Sequence, residues 1–129
     1  MDSSGIFVKM CEKAEEIQGQ WEPKSYDYVY DTDPHEYNEV SLITNPAGFN
    51  KNGFIWLPRQ DQLQEMLQKY VEKDCLVGDS ISKRMAMYFG IWVQKEECLN
   101  FYSMEQYWLV WLMKEKFNKV WDGDNWING

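Results

Sequence analysis

The 129-residue chain has few of the residues that usually carry enzyme chemistry. It has one histidine, His35, and it contains neither a Gly-x-Ser-x-Gly nucleophile motif nor a glycine-rich phosphate loop. Its three cysteines, Cys11, Cys75 and Cys98, are too far apart for a zinc motif and odd in number, which favours reduced thiols. We therefore expect no catalytic residues, no cofactor and no bound metal, and the sequence gives no positive support for an enzyme.

Basic residues and long apolar runs are also scarce. Twenty-one acidic residues against 13 basic ones give a net charge of −8, whereas contacts to nucleic-acid phosphates need clustered Lys and Arg. The longest apolar run, residues 107–113, is far shorter than the roughly 20 residues that span a bilayer. The first residues lack the basic and apolar regions of a secretory signal. These features predict a cytoplasmic protein that binds neither nucleic acid nor membranes directly.

Apolar residues recur at helical spacing in four stretches of the chain. The first covers residues 6–17 and is expected to end at Gly19, and the second is expected to begin at Pro58. The apolar residues of the third stretch are Ile81, Met85, Tyr88, Phe89 and Trp92. The fourth helix is predicted most directly, because Ser103 and Gln106 form a capping box before the apolar run. Its residues Trp108, Leu109, Trp111 and Leu112 should be buried in the core.

Three short segments are typical of β-strands. Residues 26–31 alternate tyrosine with Asp and Val, residues 37–44 follow a turn at Asp33-Pro34, and residues 54–57 form a third apolar segment. Near the end of the chain, residues 122–125 form a turn between two short apolar segments, as in a hairpin. The sequence predicts one α+β domain over residues 1–129. About four helices surround an apolar central helix, beside a three-stranded antiparallel sheet that the hairpin could extend.

A strand-to-helix corner is one candidate binding site. Polar side chains follow Trp56 there, where the backbone N–H groups of the first helical turn have no partner inside the helix. Such a corner can hold a peptide or a small anion, although packing of the corner into the core is the simpler interpretation. The candidate residues are Trp56, Arg59, Gln60, Asp61 and Gln64.

An acidic strip in the first strand and the following turn is the second candidate site. The segment from Glu22 to Glu39 has six acidic residues and one basic residue, Lys24. Carboxylates on a small acidic protein can stand in for nucleic-acid phosphates, although a solvated, charged hairpin has the same composition. The strip consists of Asp27, Asp31, Asp33 and Glu36.

Two segments carry a resemblance to a known family. They are WLPRQDQLQEML at residues 56–67 and the stretch from SMEQ at 103–106 through VWDGDNW at 120–126, with a weaker match in WEPK at 21–24. They resemble a family of small uncharacterised proteins from phages, prophages and gut-type Gram-positive bacteria. The resemblance covers about half of the chain, and residues 77–102 depart from it most. It implies a genomic setting and no particular chemistry.

Three functions remain open from the sequence. The leading hypothesis is a non-enzymatic accessory protein, derived from a phage or prophage, that works through protein–protein contacts and could form a homodimer. The second is an acidic nucleic-acid mimic that inhibits a host defence enzyme. The third is a small-ligand or peptide-binding protein with a pocket near Trp56 and Arg59.

Overall fold

The computed structural model describes residues 1–33, 39–71, 81–94 and 101–129, and within them the fold is α+β, as predicted. Five residues that the sequence predictions name lie outside the described residues: His35, Glu36, Tyr37, Cys75 and Cys98. The described elements are α1 (Gly5–Lys13), α2 (Glu15–Gln20), β1 (Tyr28–Asp31), β2 (Val40–Leu42), β3 (Phe54–Leu57), α3 (Gln60–Val71), α4 (Ile81–Val93), α5 (Met104–Phe117), β4 (Lys119–Trp121) and β5 (Trp126–Asn128).

The chain divides into two compact units. The first contains Met1–Arg59 and Trp121–Ile127, and the second contains Gln60–Val120 and Asn128–Gly129. The expectation of a single domain over residues 1–129 stays a prediction.

The predicted first helix is two helices in the first unit. Ser4 caps α1, because its Oγ accepts a hydrogen bond from the Phe7 N–H at 3.3 Å. At Ala14 the backbone leaves helical geometry, with φ −83° and ψ 71°, and α2 begins at the next residue. Gly19 therefore lies inside α2 and does not end the helix, contrary to the prediction. The bend accompanies two hydrogen bonds between the Gln18 side chain and the Trp56 backbone, which no local sequence pattern encodes.

The three-stranded sheet has the order β2-β1-β3, and both pairs of strands are antiparallel. In the central strand, Val29 lies opposite Ser41 on one side and Trp56 on the other. The third strand is Phe54–Leu57, as predicted. The second strand was predicted over residues 37–44, and its described part is Val40–Leu42. The sheet belongs entirely to the first unit.

Three of the described helices, α3, α4 and α5, lie in the second unit, and α3 and α4 each pack against α5. The Ser103 half of the predicted cap of α5 is confirmed, because Ser103 Oγ accepts from the Gln106 N–H at 3.1 Å. Gln106 Oε1 accepts from the N–H of Tyr102, the residue before the N-cap. The helix ends at Asn118, which has a left-handed backbone with φ 53°. The predicted core residues Trp108, Leu109, Trp111 and Leu112 are all buried. By contrast, α3 begins at Gln60 and not at Pro58.

The C-terminal hairpin forms a separate two-stranded sheet and does not extend the three-stranded one. In its turn, the Asp122 carboxylate accepts the backbone N–H groups of Asp124 and Asn125, both at 2.8 Å. These bonds, with a smaller contribution from the Lys9 charge, lower the pKa of Asp122. The indole N–H of Trp126 donates to the Met10 carbonyl of α1 at 2.9 Å. This buried bond joins Trp126 to α1 within the first unit.

Candidate functional site

Trp56 is a buried packing residue in the first unit. Its ring is stacked on that of Trp21, with centroids 6.0 Å apart and an angle of 4° between the planes. On the backbone, its N–H and C=O both bond to the Gln18 side chain. The indole N–H of Trp56 is itself buried and has no hydrogen-bond partner among the described residues, and the same holds for that of Trp108 in the second unit. Trp56 therefore contributes to the core and presents little surface to a ligand.

Arg59 holds the start of β1. Its Nη1 donates to the Tyr26 carbonyl at 2.7 Å and lies 4.0 Å from Asp27 Oδ1. Tyr26 has a positive φ of 70°, which is unusual for a bulky residue and costs free energy unless neighbouring bonds hold it. The bond from Arg59 and a second one from the Tyr26 N–H to the Ile43 carbonyl, at 2.7 Å, supply that support.

The other residues of the predicted corner belong to the second unit, at the start of α3. Asp61 is exposed, whereas Gln60 and Gln64 are half-buried. Trp56 and Arg59 have the roles described above in the first unit. A binding site formed by all five residues stays a prediction.

Asp27 is buried, and this corrects its placement in an exposed acidic strip. Only 2% of its surface is accessible. Its Oδ2 accepts the Trp21 indole N–H at 3.0 Å and the Lys24 backbone N–H at 2.9 Å. The alternation of Asp27 with tyrosines predicted a solvent-facing carboxylate, but a tryptophan six residues earlier in the chain supplies a buried donor. Asp27 is thus a structural residue that fixes the turn into β1.

The acidic strip is consequently shorter than predicted in the described part of the chain. Asp31 is half-buried and its Oδ1 accepts the Asp33 backbone N–H at 2.9 Å, while Asp33 is exposed. Glu36 lies outside the described residues. Without Asp27, the described residues of the strip do not form a row of four surface carboxylates.

Three large apolar side chains of α4 are exposed, and the side of the helix that carries them is its outer face. We define it by Met87, Tyr88 and Ile91, which are 54%, 44% and 56% exposed. The opposite side of the helix carries the buried residues Met85 and Phe89. No charged residue occurs between positions 85 and 94.

An aromatic cluster in the second unit supports this helix from behind. The Phe89 ring is stacked on Trp108 with centroids 4.1 Å apart and planes within 4°, and it also contacts Trp111 at 5.6 Å. Trp92 contacts Trp111 at 6.3 Å and the edge of Tyr107 at 6.4 Å. Because these large rings fix α4 against α5, the outer face belongs to a firmly packed helix.

Sequence reasoning missed this face because the helical pattern of residues 81–92 was drawn without Met87 and Ile91. Tyr88 belonged to the same helical pattern as Met85 and Phe89, but unlike them it is exposed. The available signal was the pair Met87 and Ile91. These residues are four apart, on a side of the helix that the predicted core stripe does not include.

Cys11 is buried in α1, and burial raises the pKa of its thiol well above the ordinary value, with a smaller contribution from the negative charge of Asp2. We expect iodoacetamide to alkylate Cys11 at pH 8 at least about 100-fold more slowly in the native protein than in urea. Mass spectrometry of the peptide that contains Cys11 measures both rates and separates them from labelling of the other cysteines. Equal rates would show that the thiol is accessible in the native state.

The described residues contain neither a cluster suited to a metal ion nor a helix suited to crossing a bilayer. No group of three or more His, Cys, Asp or Glu side chains there is placed to hold a metal ion. Nor do the described helices include one with the length and apolar character needed to cross a bilayer. Comparison of the chain with protein-family models, curated proteins and solved structures found no match.

Proposed function

We propose that this chain is a non-enzymatic cytoplasmic accessory protein of phage or prophage origin that acts through protein–protein contacts. The observation that carries the proposal is the outer face of α4, where three large apolar side chains are exposed together on one helix. The genomic origin rests on the resemblance of residues 56–67 and 103–126 to phage and prophage proteins.

The physical argument starts from the hydrophobic effect. Removing contiguous apolar side chains from water is favourable, by about 25 cal/mol for each Å² of apolar area that becomes buried. Exposed patches on firmly packed elements are for this reason typical of binding surfaces. The aromatic cluster behind α4 reduces the ordering that binding requires, because Phe89 is already fixed between the two helices. A helix with an apolar outer face fits a groove on a partner or the same face of a second copy.

The acidic strip gives less support to nucleic-acid mimicry. A mimic must present its carboxylates to the basic surface of its target, and the Asp27 carboxylate is instead bonded to Trp21 and Lys24 inside the fold. We therefore favour protein contacts through α4.

Charge placed on the outer face of α4 tests the proposal. We expect the double variant Met87→Glu, Ile91→Glu to lose at least roughly tenfold in partner capture or self-association, because two carboxylates would have to be desolvated in the interface. Capture from a Gram-positive host lysate and sedimentation velocity of the purified protein measure the two kinds of contact.

The matched control adds the same charge at exposed polar positions, Gln20→Glu and Asn128→Glu. It should behave as wild type, and circular dichroism should show that both double variants are folded. A wild-type protein that stays monomeric and captures nothing, or a Met87/Ile91 variant that binds as well as the control, would contradict the proposal.

A further inference from the structure

The outer edge of β2 offers backbone hydrogen-bonding groups in an ordered row. The Ile43 N–H donates to the Asp27 carbonyl, so residue 43 directs its backbone groups toward β1. Backbone groups alternate in direction along an antiparallel strand, and hence Ser41 also faces β1. Val40 and Leu42 direct their N–H and C=O groups the other way, toward the edge of the sheet.

This edge is open among the described residues. No described group forms a hydrogen bond with the outward N–H and C=O groups of Val40 or Leu42. The opposite edge of the sheet differs, because the Gln18 side chain bonds to both the N–H and the C=O of Trp56 in β3. One edge is therefore closed by a side chain of the same unit, whereas no group in the described part of the chain closes the edge at β2.

The side chains beside the open edge divide by face. Val40 and Leu42 lie on one face of the sheet with the tyrosines opposite them, Tyr30 and Tyr28, and Leu42 is 45% exposed. On the other face, continuing the register of β1 and β2 by one residue brings Glu39 opposite Asp31. Glu39 is exposed. An added strand would thus meet Val40 and Leu42 on one face, and on the other face it would meet Glu39 followed by Ser41 and the buried Ile43.

We propose that the outer edge of β2 binds an extended peptide segment of a partner protein, in which apolar and basic residues alternate. The backbone of the segment bonds to the outward groups of Val40 and Leu42, as in other cases of strand addition. Its apolar side chains cover Leu42, and a Lys or Arg side chain on the other face approaches Glu39. This site lies in the first unit and does not depend on the outer face of α4.

Charge selects a basic segment over a second copy of this chain. Residues 39–44 contain one carboxylate, Glu39, and no Lys or Arg. A second copy adding its own β2 would bring no positive charge to this edge, and the chain as a whole carries a net charge of −8. A peptide with lysine at alternate positions supplies the missing charge, and the same alternation places its apolar residues against Leu42.

A fluorescently labelled short peptide in which valine and lysine alternate is the probe, and anisotropy is the measurement. The full-length protein should bind it saturably, and a peptide that alternates valine and glutamate should bind roughly tenfold more weakly or worse. Methylating the backbone nitrogens along one edge of the Val/Lys peptide should also weaken binding, because an added strand depends on those N–H groups.

Two variants and one matched control locate the site. Leu42→Pro removes an N–H that faces away from β1, and Glu39→Lys reverses the charge beside it; each should weaken binding roughly tenfold or more. Glu12→Lys makes the same charge change on an exposed position of α1 and should bind the peptide as wild type does. Circular dichroism checks the fold of Leu42→Pro, and Glu39→Lys tests the edge without a backbone change.

Three outcomes would overturn this inference. They are absence of saturable binding to the Val/Lys peptide, equal binding by Glu39→Lys and Glu12→Lys, and equal binding of the methylated and unmethylated peptides. A wild-type dimer that dissociates in Leu42→Pro and does not bind the peptide would assign the edge to a second copy and reject the basic segment. Loss of the α4 contact in Met87→Glu, Ile91→Glu leaves peptide binding unchanged, so the two proposals fail separately.

Discussion

Truncating Trp111 to alanine should lower the free energy of unfolding by roughly 3–5 kcal/mol. The side chain is 4% exposed, and its ring contacts those of Phe89, Trp92 and Trp108 at centroid distances of 5.6, 6.3 and 5.4 Å. Its removal leaves a large cavity in the second unit, because three rigid rings cannot collapse into the space without losing their own contacts. Urea unfolding followed by far-ultraviolet circular dichroism measures the change without relying on tryptophan fluorescence.

Tyr102→Ala is the control for this measurement. Tyr102 is also an aromatic residue of the second unit, but it is 83% exposed. Its truncation should change the free energy of unfolding by less than about 0.5 kcal/mol. If Trp111→Ala unfolds at the same urea concentration as Tyr102→Ala, the aromatic cluster does not stabilise this unit.

The elements that could be predicted from the sequence are those with local causes. The start of α5 depends on Ser103 and Gln106, which are three residues apart and satisfy backbone groups of the same turn. The burial of residues 108–113 follows from an apolar run that leaves no polar face for solvent. The hairpin turn at Asp122 is similarly local, since its carboxylate accepts N–H groups two and three residues later.

The features that could not be predicted depend on contacts between distant segments. The bend at Ala14 accompanies bonds from Gln18 to Trp56, which are 38 residues apart, and no helical pattern signals a partner at that distance. Alternation in residues 26–31 correctly predicted a strand, but it could not tell whether Asp27 would face water or a buried donor.

The same distinction between local and distant contacts applies to the candidate sites. Arg59 was predicted as a ligand-binding side chain. In the structure its Nη1 donates to the backbone carbonyl of Tyr26, 33 residues earlier. The outer face of α4 was missed for a different reason. An apolar side chain gives the same sequence signal whether it faces the core or a partner, and only the packing of Phe89 against Trp108 shows which side of α4 is inside.

Replacing Asp27 with alanine should destabilise the protein by roughly 3 kcal/mol, the second largest effect that we expect. The substitution removes the acceptor of the buried Trp21 indole N–H and of the Lys24 N–H, and it leaves Arg59 without the carboxylate 4.0 Å away. Most of the cost arises from the buried indole donor, because Arg59 is one-third exposed and water screens its charge. Urea unfolding measures the change.

Two further variants show whether burial of the carboxylate is the cause. Asp27→Asn keeps the size of the side chain and one carbonyl acceptor. Its free energy of unfolding should therefore fall by about 1–2 kcal/mol, less than for Asp27→Ala. Asp33→Ala removes an exposed carboxylate from the same acidic strip and should cost less than about 0.5 kcal/mol. Equal stability of Asp27→Ala and Asp33→Ala would place the Asp27 carboxylate in solvent, where it would again be available to a basic partner.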